Sequence, residues 1–345
     1  MKAKQVILSV FVILILIAAF AGWSLFGPTV KNPDKKFLYI RTNSSYQSVK
    51  DSLLKNNMVS GTFWFDKVAG YADYPTNVKA GKYKITDGMS LYRLVKMLRS
   101  GKQVPVNLVI TKLRTKEDLA KKIASNFETD SATAIRFLSN NDSLLQFDVD
   151  TNTVMTDVIP NTYTYSWTTP IESIFKKLNA EEEKFWNNER LYKAKRLNLS
   201  PKEIYTLASL VEEETNKQAD KGKIASVYIN RMKKGMKLAA DPTVKFAMKD
   251  FGLKRIYHKH LAFVSPYNTY LNTGLPPGPI CTPSIKTIDA VLDAPETDYL
   301  FFVARADFSG YSDFASTYQE HLVYAKAYQQ ALDSVILAKQ QGVEN

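Results

Sequence analysis

Three consecutive carboxylates, Glu212, Glu213 and Glu214, close an apolar stretch that begins at Leu207 and are followed by Thr215. Downstream come Asn230-Arg231, then Asp241-Pro242-Thr243, Tyr267-Asn268-Thr269-Tyr270 and Gly274-Leu275-Pro276-Pro277-Gly278. A carboxyl on a buried helix can be held protonated and can pass its proton to a leaving oxygen. Polar and aromatic loops beside it can line a cleft for a sugar ring. The chemistry that such a set supports is acid-assisted cleavage of a glycosidic bond with one positioned donor.

Helix periodicity sorts the three acids. At about 100° per residue, Ile204, Leu207, Ala208 and Val211 share one apolar arc. Glu213 falls opposite that arc and is expected to be solvated, so that Glu213→Gln would be nearly silent. Glu212 lies roughly 100° from the arc centre and Glu214 roughly 60° from it. Glu214 is therefore expected to be half buried, its pKa raised by burial and by the adjacent charges of Glu212 and Glu213. Charge runs at helix ends are commonly solvated faces, and spacing alone leaves that reading open. The other groups are equally two-sided. Asp241 and Thr243 suit a turn or cap as well as a site. Tyr267, Asn268 and Tyr270 offer ring faces and amide donors to a sugar, and also suit a buried loop. Glu320-His321 suits either a second polar pair in the cleft or the start of the last helix.

The elements that would hold these residues are an α+β set. Ser200-Pro201-Lys202-Glu203 is a helix start with a capping serine, proline at the first position and glutamate at the third. The helix that it opens carries the three acids. The next helix spans residues 220–234 and closes on Lys233-Lys234-Gly235. Helices are expected over 115–126, 131–139 and, as one long element, 169–190. Residues 140–156 read as irregular, and 159–165 as a loop with two tyrosines. After Ile285 the pattern predicts a helix, a strand over 299–304 and a final helix over 319–339. Ahead of all this, strands at 37–40 and 80–85 bracket helices at 45–58 and 63–72. The helix at 45–58 carries Val49, Leu53 and Leu54 on one face. Another helix opens at Ser90, and 104–111 alternates as a strand. Strand–helix–helix–strand on this scale is a small module.

Residues 6–26 carry no charge, which is long enough to span a bilayer as a helix. Lys2 and Lys4 precede the run and would keep the N-terminus in the cytoplasm. Ala19-Phe20-Ala21 resembles a signal-peptide cleavage site, but the apolar run continues to Phe26, which favours a retained single-pass anchor. The rest of the chain would then lie on the outer, periplasmic face of the cytoplasmic (inner) membrane.

The 46 Lys+Arg against 34 Asp+Glu give a net charge of +12. The basic residues are scattered and no nucleic-acid signature is present, so no nucleic-acid partner is expected. Anionic lipid and anionic wall polymers fit an exported basic chain. The single cysteine, Cys281, allows no intrachain disulfide and reads as a buried inert thiol. Three histidines without ligand spacing make a catalytic metal unexpected.

Ordered along the chain, Ala208-Ser209-Leu210-Val211-Glu212-Glu213-Glu214-Thr215, Ile224-Ala225-Ser226-Val227-Tyr228-Ile229-Asn230-Arg231, Gly235-Met236-Lys237-Leu238, Asp241-Pro242-Thr243-Val244, Pro266-Tyr267-Asn268-Thr269-Tyr270 and Gly274-Leu275-Pro276-Pro277-Gly278-Pro279-Ile280 resemble the YceG-like family of endolytic murein transglycosylases. The resemblance covers the anchor, the small module and most of residues 105–335. It implies an anchor at 1–28, a linker at 29–36, a LysM-like module at 37–104 and a catalytic domain at 105–345. It also implies that Glu214, the acid directly before the threonine, is catalytic. Asn230, Arg231, Asp241, Thr243, Tyr267, Asn268, Tyr270, Glu320 and His321 are the matching substrate-binding candidates. The implied reaction cuts the MurNAc–GlcNAc β-1,4 bond of peptidoglycan without water and without a cofactor, leaving 1,6-anhydro ends. The alternatives are a muramidase-type hydrolase on the same scaffold, with Asp241 or Glu212 as second carboxylate, and a non-catalytic wall-binding scaffold. Peptidoglycan synthases of the growing wall are the implied protein partners. Two positions depart from the family pattern: the stretch Asp157-Val158-Ile159-Pro160-Asn161-Thr162-Tyr163, and Ser312, where a histidine is usual. Both are expected in cleft-lining loops.

Overall fold

The computed structural model describes residues 2–32, 34, 36–253 and 255–340. In chain order its helices and strands are α1 (Lys2–Phe26), β1 (Phe37–Ile40), α2 (Tyr46–Lys55), α3 (Phe63–Tyr71), β2 (Gly81–Lys84), α4 (Leu91–Ser100), β3 (Val106–Val109), α5 (Lys116–Asn126), α6 (Ser131–Leu138), α7 (Asn141–Leu144), β4 (Thr162–Tyr165), α8 (Ile171–Phe185), α9 (Asn188–Arg196), α10 (Pro201–Glu214), α11 (Gln218–Lys233), α12 (Asp241–Met248), α13 (His258–Leu261), α14 (Ile285–Leu292), β5 (Phe301–Ala304), β6 (Ser312–Ala315) and α15 (Tyr318–Gln340). The strands form three two-stranded sheets, β1-β2, β3-β4 and β5-β6. The protein is thus mixed α+β with one N-terminal apolar helix. Two compact units result: Met1–Leu108 with Ile123–Asp130 and Thr164–Pro170, and Val109–Lys122 with Ser131–Tyr163 and Ile171–Asn345.

In the first unit, β1 and β2 run antiparallel, Phe37 opposite Lys84 and Ile40 opposite Gly81. Alternation sends Leu38, Ile40 and Tyr83 inward, onto Val49 and Leu53 of α2, Phe65 and Ala69 of α3, and Leu94, Val95 and Leu98 of α4. Leu54, expected on the same face as Val49 and Leu53, is 40% exposed. It stands one residue beyond Leu53, so the helix turns it outward. Helix α2 is capped by Ser45, whose hydroxyl accepts from Ser48 N–H at 3.1 Å.

Residues 29–32, expected as a free linker, are stitched into this unit. Val30 is fully buried and exchanges backbone bonds with Met89 and Gly88, both 2.9 Å. Asn32 Nδ2 donates to the carbonyls of Ile85 (2.8 Å) and Lys36 (2.9 Å). Positions 33 and 35 of the expected linker lie outside the described residues.

The second unit is built around α10. Ser200 and Glu203 close a reciprocal capping box and Pro201 takes the first helical position. From Ile204 to Val211 every residue is buried. Contacts from α9, α11, α12 and α14 surround the helix, so its burial is not confined to one stripe. Three expectations change here. Residues 169–190 form two helices, because Asn187 caps α9 by accepting from Arg190 N–H at 3.0 Å. Residues 162–165 are strand β4, with the Tyr163 hydroxyl bonded to the Ile159 carbonyl at 2.5 Å. Ser312 begins strand β6, opposite Ala304 of β5, so it lies in no cleft-lining loop; its N–H donates to buried Asp220 at 2.7 Å. In the Asp157–Tyr163 stretch, Asp157, Val158, Ile159 and Tyr163 are buried, while Asn161 and Thr162 are exposed.

Candidate active site

Glu214 is the last residue of α10, because Thr215 turns the chain to extended geometry (φ −147°, ψ 144°). Its side chain is half buried. Tyr228, on the facing helix α11, donates its hydroxyl to Glu214 Oε1 at 2.6 Å. Burial pushes the Glu214 carboxyl up to about 7. The Tyr228 hydrogen bond opposes that rise, the charge of Asp241 adds to it, and Lys245 and Arg231 oppose it again. Tyr228 itself is driven far above its ordinary value by burial and by Glu214, so it remains a donor.

The neighbouring acids behave differently from the periodicity argument. Glu212 is paired with Lys221 at 2.9 Å. It also accepts from Ser284 at 3.1 Å and from Thr287. Burial pushes its pKa up, but the Thr287 and Lys221 contacts outweigh that and hold it below the usual carboxylate range. Glu213 is not solvated: its side chain is 16% exposed, with Lys112 at 2.8 Å and Arg114 at 3.3 Å. An apolar arc predicts exposure opposite to it only when that opposite side faces water, and α10 is enclosed there too. With both neighbours countered by cations, the acid that raises Glu214 is Asp241.

Of the expected residues, Asp241, Arg231 and Tyr270 lie close enough to Glu214 for charge to act between them, and others stand apart. Asp241 begins α12, and Tyr270 donates to its Oδ1 at 2.6 Å. Burial first, and the Asp241 hydrogen bond next, push the Tyr270 phenol far up. Arg231 is anchored by the carbonyls of Leu300 (2.6 Å) and Leu238 (2.7 Å), with its guanidinium 5.3 Å over the Phe301 ring. His321 stacks on the same ring at 5.3 Å, its pKa lowered by burial and by Arg231. Tyr267 is half buried against Phe246, ring centroids 4.8 Å apart, and burial lifts its phenol to about 12.

Four candidates have other work. Thr243 is fully buried, bonded to the Ala240 carbonyl at 2.6 Å and to Thr269 at 2.9 Å. Asn268 is fully buried, its amide donating to Leu261 (2.9 Å) and Phe263 (2.8 Å) carbonyls. Both hold the loop that presents Tyr270. Asn230 donates to the carbonyls of Thr297 (2.7 Å) and Tyr299 (3.0 Å), tying α11 to the segment before β5. Glu320 accepts from Ser316 N–H (3.1 Å) and Thr317 N–H (3.2 Å), so it caps the start of α15. In each case the polar atoms satisfy nearby backbone groups, which short-range sequence pattern does not distinguish from ligand contacts.

Two residues near Glu214 escaped the sequence reading. Tyr228 sits in the apolar run Val227-Tyr228-Ile229, where a buried hydroxyl needs a partner. That requirement is the signal that could have found it. Lys245, one turn after Asp241 on α12, left no comparable trace. Cys281 is buried and burial drives its thiol far up, as expected of an inert residue.

The arrangement can keep one carboxyl protonated near neutrality, fix it by a phenol, and flank it with a carboxylate, a guanidinium and aromatic rings. The sequence model of the YceG-like family matches residues 38–327. An endolytic murein transglycosylase of Bacillus subtilis is 32% identical over 322 residues, covering 87% of each chain. One of Streptococcus pneumoniae is 29% identical over 315 residues, covering 82% of this chain and 56% of that protein. A crystal structure of a yceG-like protein from Listeria monocytogenes superposes with a TM-score of 0.56 at 27% identity, covering 83% of this chain and 97% of the other. With the family pattern extending over most of the sequence and the fold shared by a solved relative, the chain belongs to the YceG-like family.

Proposed function

We propose that this chain is a lytic transglycosylase that cuts the MurNAc–GlcNAc β-1,4 bond inside peptidoglycan strands, with Glu214 as its acid and base. The observation that carries the reading is the Glu214 carboxyl held up at about 7 while Tyr228 donates to its Oε1. An oxygen that accepts a hydrogen bond leaves the acidic proton to its partner, Oε2. Glu214 passes that proton to the glycosidic oxygen as the C1–O bond breaks, and the neighbouring sugar leaves as an alcohol. The muramyl C6 hydroxyl then bonds to C1, and its proton returns to the Glu214 carboxylate. The ring closes as 1,6-anhydro-MurNAc, no water is consumed, and the enzyme ends as it began. Tyr270 and Asp241, with Arg231 and the rings of Phe301 and Tyr267, are assigned to hold the glycan.

The wider reading has a LysM-like module at 37–104 and the catalytic domain at 105–345. Helix α1 anchors the chain once in the cytoplasmic membrane, with the catalytic domain outside. There the enzyme terminates nascent strands beside peptidoglycan synthases. Support for the anchor is the 24-residue apolar helix Ala3–Phe26, whose most apolar 18 residues have a mean hydropathy of 2.8, with none of them buried.

One observation favours a second reading. Asp241 is near enough for its charge to raise Glu214, so it could serve as the second carboxylate of a muramidase. Glu212 does not fit that role, since Lys221, Ser284 and Thr287 occupy it. Mass spectrometry of uncrosslinked glycan digested by the full-length protein separates the two. Anhydromuramyl ends that vanish in Glu214→Gln are expected. Reducing ends would transfer the assignment to a hydrolase, and cleavage that persists in Glu214→Gln would remove Glu214 from the reaction.

A further inference from the structure

The first unit carries a groove between α3 and α4 that no step of the proposed reaction uses. Its volume is about 440 Å³. Val68 and Val95 lie beneath it, Tyr71 and Tyr92 border it, and Lys96 and Arg99 stand at its rim, with Asp73 the one carboxylate among the lining residues. Tyr71 is 93% exposed and Tyr92 44%. Among the described residues, neither Lys96 nor Arg99 has a carboxylate within ion-pair distance, and each is exposed. An apolar cleft bordered by phenols and rimmed by two uncompensated cations fits an amphiphile with an anionic head.

The same unit shows where that amphiphile would come from. The Phe20 ring of α1 meets Trp64 of α3 at 6.2 Å, and Phe26, the last residue of α1, meets Tyr92 of α4 at 5.5 Å. Phe20 lies about 9 Å short of the end of the helix at 1.5 Å per residue. The 25 residues of α1 measure ~37 Å, against a hydrocarbon core of ~30 Å. The excess of ~7 Å brings about the last turn of a spanning α1 to head-group depth, where Phe26 meets Tyr92 of α4, and leaves the Phe20–Trp64 contact at the edge of the hydrocarbon. Phe63, 63% exposed at the start of α3, and Trp23, 63% exposed on α1, are residues of the interfacial type. Lys67 stands 5.6 Å over the Phe63 ring, adding a third cation on this side.

We propose that the α3–α4 groove binds an anionic phospholipid of the membrane that α1 enters, its phosphate between Lys96 and Arg99 and its glycerol and upper acyl carbons along Tyr71 and Tyr92. The proposal rests on the reading of α1 as a spanning helix. It concerns no residue of the Glu214 site.

The test uses the full-length protein in detergent micelles, titrated with dioleoyl phosphatidylglycerol and followed by native mass spectrometry of bound lipid. Lys96→Ser/Arg99→Ser is expected to weaken retention by about tenfold or more, since each cation near an anionic head group contributes separately. Tyr71→Ala is expected to weaken it less, and dioleoyl phosphatidylcholine should bind neither protein preferentially. Phosphatidylglycerol retained by the double variant within twofold of wild type would overturn the site. Competition by inorganic phosphate as strong as by lipid would show a phosphate pocket and overturn the lipid assignment. Flotation of wild type with vesicles is the separate check on α1. A wild type that floats while the double variant binds normally rejects the groove alone, whereas a wild type that fails to float rejects the anchor and the groove together. Unchanged circular dichroism and unchanged glycan cleavage of the double variant exclude misfolding.

Discussion

The second unit contains two acidic centres whose carboxyls are lifted to about 7, and only one of them looks like a site. At the first, Glu214 is half buried, takes one hydrogen bond from Tyr228, and has Asp241, Arg231 and Lys245 around it. At the second, Asp157 is 2% exposed and is held by Asn179 at 3.0 Å. Glu182 stands beside it, raised to about 7 by burial and then by the Asp157 charge. Burial is the leading cause for all three carboxyls. A perturbed pKa therefore marks desolvation, and it marks catalysis only where the carboxyl also meets open space and oriented partners. Asp157 lies beside buried Val158 and Ile159 and reads as a proton held in the interior, while Glu182 is half buried.

The comparison breaks most directly in a pair of amides. Glu214→Gln should lower glycan cleavage by about a thousandfold or more, whereas Asp157→Asn should stay within about threefold, both followed by release of anhydromuramyl ends. Equal losses would erase the distinction between the two centres. Tyr228→Phe comes next. Loss of the hydrogen bond should cost about tenfold in rate. Because that bond lowers the Glu214 pKa, its removal should move the alkaline fall of activity above the wild-type position near 7. Asp241→Asn should move the same limb the other way, since the lost charge is one that raises Glu214. A limb unmoved in both variants would mean that another group titrates.

Smaller effects sharpen the contrast on the stability side. Glu213→Gln leaves Lys112 and Arg114 without their carboxylate and should lower the unfolding free energy by about 1–2 kcal/mol in a denaturant titration. An unchanged midpoint would restore the solvated reading of Glu213. Asp157→Asn should act mainly on the pH dependence of stability. The native Asp157 keeps its proton up to about 7, whereas an unfolded aspartate releases it near 4. Between those values the folded state binds more protons, so this residue makes stability fall as pH rises. Glu182 and Glu214 contribute slopes of the same sign, so the fall of melting temperature from pH 4 to pH 7 should be shallower in Asp157→Asn than in wild type, not absent.

Much of this was legible before the fold. The capping box at Ser200 and Glu203, the order of helices around the acids and the half-buried Glu214 follow from residue type and period. What escaped has a common physical origin in contacts distant along the chain. The 3.6-residue period places Glu213 opposite the apolar arc, but it does not reveal Lys112 and Arg114, about a hundred residues earlier, waiting on that side. Asn187 caps α9 and divides a helix whose apolar spacing continues across the break. Thr243 and Asn268 have the composition of sugar-binding residues, yet their hydrogen-bonding capacity is consumed by backbone groups within the loop they hold. Ser312 and Asp220 meet across 92 residues, a pairing that no local pattern encodes.

The stitching of residues 29–32 has a mechanical consequence. A free tether of ten residues would let a module wander over roughly 17 Å. Here the chain leaves α1 with the Gly27 N–H on the Trp23 carbonyl at 2.7 Å, then enters a core through Val30 and is clamped by Asn32. That leaves almost no slack. A sideways tug or a twist applied to the first unit is passed on to α1, and a tilt of α1 turns the first unit with it, as a rigid mount moves with its post.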